Sequence, residues 1–228
     1  SLSSLNIGGD NVAVGYGVMF ASTGGNFNTA VGNYSLYNSS GERNTAIGFR
    51  SMNNNSTGSY NDATGTFALY DNTTGSYNTA NGYSSLHDNH AGNYNTAIGY
   101  YALTIASNTS YNTAIGYNCM VNASTGNYNT ASGAEALYFN RGVNNTATGF
   151  QALRGNFEGI NSTAVGYHSL RVNSSGSGNT AIGSLSLQQN SSGNYNAAIG
   201  RFSLSGNTTG SYNTALGYNA NVSAGTFI

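Results

Sequence analysis

Three groups of side chains in this sequence could do chemistry, and spacing is what brings each group together. Asp71 and Asp88 lie 17 residues apart. Stacked by a repeat of that length they would form a carboxylate pair, an arrangement that can share a proton or hold a cation. The plainer reading of the pair is a solvated turn. His87 and His90 flank Asp88 and add nitrogen donors, which makes the same turn a weak surface candidate for a metal. Arg154 and Arg171 are also 17 residues apart. As neighbours on adjacent coils they could grip an anionic sugar or phosphate, or simply keep the surface soluble. The remaining carboxylates, Asp10, Glu42, Asp62, Glu135 and Glu158, fall at unrelated intervals, and His168 stands away from the other two histidines. Cys119 has no histidine in register with it, so it reads as a packed thiol rather than a nucleophile. No catalytic residue, metal or cofactor is assigned on this basis, and the expectation is a protein that is not an enzyme.

What positions these residues is an internal repeat. The pattern N-T-A-x-G begins at Asn11, Asn28, Asn44, Asn61, Asn78, Asn95, Asn112, Asn129, Asn145, Ser162, Asn179, Asn196 and Asn213. Ten of the twelve intervals are 17 residues and two are 16. So strict a period implies a stacked solenoid of thirteen coils, in which each unit buries its apolar face only against its neighbours. The consensus is N-T-A-I-G-Y-x-A/S-L-x-x-N-T/S-T/S-G-S/N-Y, numbered here 1 to 17. Position 3 is Ala and position 5 is Gly in every copy, and position 9 is Leu or Met in all but the last, where Asn221 stands.

From position 17 of one copy to position 6 of the next, residue character alternates with a period of two, which predicts a β-strand over that stretch. Asn, Ala and Gly share one face; Thr, Ile and the aromatics share the other. The invariant face carries the smallest side chains, so we place it inward, together with the position-9 Leu, where a bulkier group would clash. The outer face is then partly wet or shared with a neighbouring chain. N-T-T-G and N-S-S-G clusters such as Asn72 to Gly75 and Asn190 to Gly193 predict turns, and helix is expected nowhere. The fold class is therefore all-β, a parallel β-solenoid over 11–228, with 1–10 as an N-terminal segment or cap. Position-1 asparagines, Asn28, Asn44, Asn61, Asn78, Asn95, Asn112 and Asn129, are expected to stack as a side-chain ladder. Tyr60, Tyr77, Tyr94, Tyr111 and Tyr128 at position 17 are expected to stack as an aromatic column.

Composition narrows function. The 228 residues include 32 Gly and no Pro, and only 6% are charged, against roughly 25% in an ordinary globular domain. The net charge is −1, which excludes an electrostatic footprint for nucleic acid. No apolar run approaches the roughly 20 residues needed to span a bilayer, so membrane insertion is not expected. N-x-S/T sequons recur at Asn38, Asn55, Asn72, Asn108, Asn122, Asn173, Asn190 and Asn207. They would sugar-coat one exposed edge in a glycosylating host, although N-T-T-G is also ordinary turn chemistry.

The N-T-A-I-G-Y-x-A-L units, as at Asn95 to Leu103, resemble the repeats that precede chaperone-type C-terminal domains in phage and viral tail fibres. They are also similar to the shorter S-V-A-I-G repeats in the heads of trimeric autotransporter adhesins. The resemblance covers residues 11 to 228 and implies a left-handed parallel β-roll wound as a homotrimer on a virion or cell surface. The adhesin repeat is three residues shorter and lacks the aromatic positions.

Three roles follow as expectations. The first is an extracellular or virion-surface structural fibre, adhesive or host-recognising, with the position-17 tyrosines and Arg154 and Arg171 as the surface for a glycan or receptor. The second is ice binding through the position-2 threonines, present in ten of thirteen copies. The third is a subunit that assembles head to tail into a filament.

Overall fold

Each copy forms one strand only three residues long, and five copies add a second strand of two residues. A computed structural model describes residues 8–221 in two compact units, Ser1–Asn112 and Thr113–Ile228. Of the segment 1–10 expected as a cap, residues 1–7 lie outside the described residues, as do 222–228. Gly9 already belongs to the coil pattern: its N–H donates to Asn26 Oδ1 at 2.8 Å and its carbonyl accepts from Phe27 N.

In the first unit the strands are β1 (Val12–Val14), β2 (Thr29–Val31), β3 (Asn38–Ser39), β4 (Thr45–Ile47), β5 (Asn54–Asn55), β6 (Asp62–Thr64), β7 (Thr79–Asn81) and β8 (Thr96–Ile98). They pair in parallel as β1-β2-β4-β6-β7-β8, with β3 on β5 as a second, narrower ladder. The second unit contains β9 (Thr113–Ile115), β10 (Thr130–Ser132), β11 (Phe139–Asn140), β12 (Thr146–Thr148), β13 (Gly155–Asn156), β14 (Thr163–Val165), β15 (Val172–Asn173), β16 (Thr180–Ile182), β17 (Ala197–Ile199) and β18 (Thr214–Leu216). Here β9-β10-β12-β14-β16-β17-β18 form one parallel ladder and β11-β13-β15 the other. Register is locked copy to copy: Thr79 faces Thr96 and Ala80 faces Ala97. Each unit is thus a parallel β-solenoid, and no helix occurs among the described residues.

The strand is shorter than the alternation predicts, because backbone geometry closes it at both ends. Position 17 is left-handed even where it is aromatic, with φ of 59° at Tyr60, 60° at Tyr77 and 57° at Tyr94. Position 5 is bent further, to +136° at Gly82, a value that glycine alone takes without strain. A Cβ on Gly82 would lie 2.4 Å from the Gly99 carbonyl oxygen of the next coil. The invariant glycine therefore marks a corner and a point of backbone contact, rather than part of the inner wall. Positions 7 and 9 are left-handed as well, at 57° in Phe67 and 51° in Leu69, so the chain turns sharply twice more before its turn segment. Each such residue costs on the order of 1 kcal/mol or more, and only the repetition of neighbouring coils holds it there.

The core is a thin column. Position-3 alanines, the position-8 small residues and the position-9 Leu or Met are buried, among them Ala80, Ser85 and Leu86 at 1%, 0% and 0% exposure. One buried Leu contributes roughly 1.5–3 kcal/mol, too little to hold a coil by itself, and two asparagine ladders flank it. At position 1 each main-chain N–H donates to the side-chain oxygen one coil back: Asn78 N to Asn61 Oδ1 at 2.9 Å and Asn95 N to Asn78 Oδ1 at 2.9 Å. The Nδ2 groups reach the position-15 carbonyl in the turn that ends their own copy, Asn61 to Gly75 O and Asn78 to Gly92 O, both at 2.9 Å. Ser162 continues this ladder in the second unit, donating its N–H to Asn145 Oδ1 and accepting from Asn179 N. The second ladder runs at position 12, where Asn72 Nδ2 donates to Asn55 Oδ1 at 2.7 Å and Asn89 Nδ2 to Asn72 Oδ1 at 2.8 Å.

Candidate functional site

With Asn, Ala and Leu inward, each strand presents positions 2 and 4 outward. In β8 Thr96 is half-buried and Ile98 is 39% exposed. Ile47 in the first unit and Ile115, Val165, Ile182 and Ile199 in the second stand at the same outward position of their own coils, and Thr64, Asn81, Ser132 and Thr148 interrupt the apolar series. Beside it stand the position-17 rings. Tyr60, Tyr77, Tyr94 and Tyr111 stack in sequence with centroids 4.9 Å apart and planes within 10° of parallel. At the start of this column Arg43 takes the place of a ring, lying 5.2 Å from the Phe27 centroid and 5.4 Å from that of Tyr60, with Nη1 donating to Tyr60 Oη. In the second unit Tyr195 and Tyr212 repeat the stack at 5.2 Å, and Tyr128 is 59% exposed. A sugar stacks on the face of a ring. Along Tyr60 to Tyr111 the faces meet other faces, so the column offers ring edges and hydroxyls instead.

Open ring surface occurs elsewhere in the first unit, at positions 6, 7 and 10. Phe67, Tyr70, Tyr83, Ser84, His87, Tyr101 and Thr104 line a groove of about 470 Å³. Ser84 stands at position 7, where the coils before and after carry Phe67 and Tyr101, and the ring missing there leaves the space. Around it the rings meet at angles: Phe67 to Tyr83 at 90° and Tyr83 to Tyr101 at 86°. His87 stacks on Tyr70 with centroids 5.0 Å apart. Except for His87, these residues were not expected as a site. Their signal was the variability of positions 7 and 10, which in coils four to six happen to be mostly aromatic.

The structure brings Asp71, His87 and Asp88 together: one ligand atom from each lies within 4.8 Å of the others. His87 Nδ1 is 2.5 Å from Asp88 Oδ1, and Asp71 Oδ1 accepts from Asn54 Nδ2 at 2.6 Å. His90 is exposed and lies outside this group.

Arg154 and Arg171 are not a free cationic pair. Arg154 Nε is held by Glu135 Oε2 at 2.7 Å and lies over the Tyr138 ring, while Arg171 Nε donates to Gln151 Oε1 at 3.1 Å. Gln151 in turn donates to Glu135, so Glu135 and Gln151, placed at position 7 of consecutive coils, spread the two charges along a polar ladder. His168 extends it, stacked 3.9 Å from Tyr167 with Nε2 buried and unpartnered. Its pKa is lowered first by burial and then by the charges of Arg171 and Arg154. Cys119 sits buried at position 8, its thiol donating to Ala131 O at 3.4 Å, and burial pushes its pKa up to about 12. Such a thiol is a poor nucleophile.

The sequons do not share one exposed edge. Asn38 and Asn108 are exposed and Asn122 and Asn207 half-buried, but Asn55, Asn72, Asn173 and Asn190 are fully buried. The last four belong to the position-12 ladder, each donating Nδ2 to the glycine carbonyl three residues on. Each of these buried Nδ2 groups donates two bonds, and a glycan would replace one of its two N–H groups at a site with no exposed surface. No protein-family model, curated protein or solved structure matches the chain.

Proposed function

We propose that this chain is a structural fibre module of an extracellular, cell-surface or virion-surface assembly, built to present a repeated outer face to other chains. The observation that carries the reading is that outer face: an Ile or Val row about 40% exposed, as at Ile98 and Ile115, beside tyrosines about half exposed, as at Tyr77 and Tyr94. In the second unit Val165, Ile182, Ile199 and Leu216 pair coil to coil in this row, and contiguous apolar surface of this kind marks an interaction site in soluble proteins. Length in a solenoid is added without enlarging the core, which suits a shaft. The buried, high-pKa Cys119 and the arginines held by Glu135 and Gln151 favour a scaffold over a catalyst. A homotrimer, as in the fibres the repeat resembles, would cover the outer row, and recognition of a glycan or receptor would fall to the groove at Ser84 rather than to the closed tyrosine column. Light scattering coupled to size exclusion tests this: a mass of three chains supports the fibre, and a monomer overturns the trimer.

One observation favours a second reading. Thr and Ile alternate outward within a strand, as in β8 and in β9 with Thr113 and Ile115, and within each unit parallel strands repeat such pairs at a constant spacing of about 4.8 Å. Methyl and hydroxyl rows on a stiff wall suit an ice surface. Inhibition of ice recrystallisation by a monomeric chain, lost on changing Thr96 and Thr113 to Asp, would support it; no inhibition would dismiss it.

A further inference from the structure

The geometry points to a divalent transition-metal site, of the zinc class, formed by Asp71, His87 and Asp88. The three residues come from adjacent coils, which are fixed against each other by main-chain bonds, Asp71 N to His87 O at 2.9 Å among them. Their donor atoms already converge within 4.8 Å on one surface. His87 Nδ1 and Asp88 Oδ1 approach to 2.5 Å, so a metal entering between them replaces the shared hydrogen bond, and Asp71 closes the third side.

Orientation is the second part of the argument. Metal ligands are held by an outer layer of contacts that fixes their rotamers. Here such contacts are in place: Tyr70 stacks on the His87 ring at 5.0 Å, and Asn54 donates to Asp71 Oδ1 at 2.6 Å while leaving Oδ2 for a cation. The donor set decides the metal. One imidazole nitrogen and two carboxylates suit zinc, cobalt or nickel, whereas magnesium and calcium prefer sites made wholly of oxygen. Three protein ligands leave a further coordination position for water. Because His87 also lines the aromatic groove, a metal there would stand at the groove's edge and would tie the fourth coil to the fifth.

The test is calorimetric titration of the whole chain with zinc chloride, with cobalt absorption as a second readout and magnesium chloride as the control. One equivalent of zinc per chain is expected, with no uptake of magnesium. His87→Ala and the isosteric Asp88→Asn should each abolish that binding with the far-ultraviolet dichroism unchanged. Asn54→Ala, which removes the side-chain donor to Asp71, should weaken it about 10–100-fold, and His90→Ala should leave it intact. Absence of zinc binding to the unaltered chain overturns the proposal. So does binding that persists in Asp88→Asn or that disappears in His90→Ala.

Discussion

In the position-17 column of the first unit every ring from Tyr60 to Tyr111 meets its neighbour face to face, whereas around Ser84 the position-7 rings Phe67 and Tyr101 both meet Tyr83 edge to face, and stacking is kept only at positions 6 and 10, as between Tyr70 and His87. Both surfaces come from one repeat. Where a single residue type recurs without a break, the constant coil spacing stacks it and uses up its faces. Where one small residue interrupts the series, the faces on either side are freed. In this solenoid regularity makes structure and interruption makes a site.

The largest test of that contrast is to break the register on which both surfaces depend. Gly82→Val would place a Cβ 2.4 Å from Gly99 O at a φ of +136°. Strain at such a φ costs about 1–3 kcal/mol and overpacking a similar amount. Chemical denaturation should show a loss of several kcal/mol, and near-ultraviolet dichroism from the tyrosine column should fall with it. An unchanged midpoint would mean that the corner glycines do not hold the coils in line.

Next in size is the inner ladder beneath both surfaces. Asn72→Leu removes the donor to Asn55 Oδ1 and Gly75 O and strips Asn89 Nδ2 of one acceptor. Asn55 Oδ1 is left without a partner, at about 1–3 kcal/mol, while Gly75 O keeps Asn61 Nδ2 and Asn89 Nδ2 keeps Gly92 O, so with those two weakened sites a loss of about 2–4 kcal/mol is expected in the same denaturation series. Asn108→Leu, at an exposed turn position outside that ladder, is the matched control and should change stability by less than about 0.5 kcal/mol.

The ladder also shows how far sequence alone reaches. Period, strand position, the inward Ala and Leu and the absence of helix among the described residues all follow from the repeat pattern, because small invariant residues at fixed intervals admit one packing. The position-12 ladder was hidden by turn chemistry: N-T-T-G is good turn sequence whether its asparagine points to solvent or inward, and Asn72 and Asn190 point inward. Strand length was overestimated because period-two alternation says nothing of φ, and left-handed Tyr77 and Tyr94 look in sequence like ordinary strand residues. Asp71 and Asp88 could be paired from their interval, and His87 placed in their turn. What no interval could supply was Asn54 on Asp71, the arginines tied up by Glu135 and Gln151, or a groove defined by a ring that Ser84 lacks.

A smaller effect is expected from the column itself. Tyr94→Ala removes two stacked contacts, with Tyr77 and Tyr111, each worth about 0.5–1.5 kcal/mol. A loss of about 1–3 kcal/mol should appear together with a drop in tyrosine dichroism larger than one ring in eighteen would give, because the stack is cut in the middle. A proportionate drop would show that the rings are not coupled.

The smallest and sharpest change converts the groove into a column. At position 7 the backbone of Ser84 has the same left-handed φ, 50°, as Phe67 at 57° and Tyr101 at 52°, so an aromatic side chain is already tolerated there on both sides. Ser84→Phe puts a ring into the space that Ser84 leaves open, between Phe67 and Tyr101. New ring contacts contribute about 0.5–1.5 kcal/mol, set against a buried hydroxyl lost, so stability should stay level or rise by up to about 1 kcal/mol. The groove itself should vanish: a small aromatic probe such as a nitrophenyl sugar that shifts the tyrosine resonances of the unaltered chain near Tyr83 and Tyr101 should shift none in Ser84→Phe, while the Tyr77 and Tyr94 signals stay in place. Clear destabilisation instead would mean that the small residue at Ser84 is demanded by packing, and that the open surface beside it is a consequence of that demand.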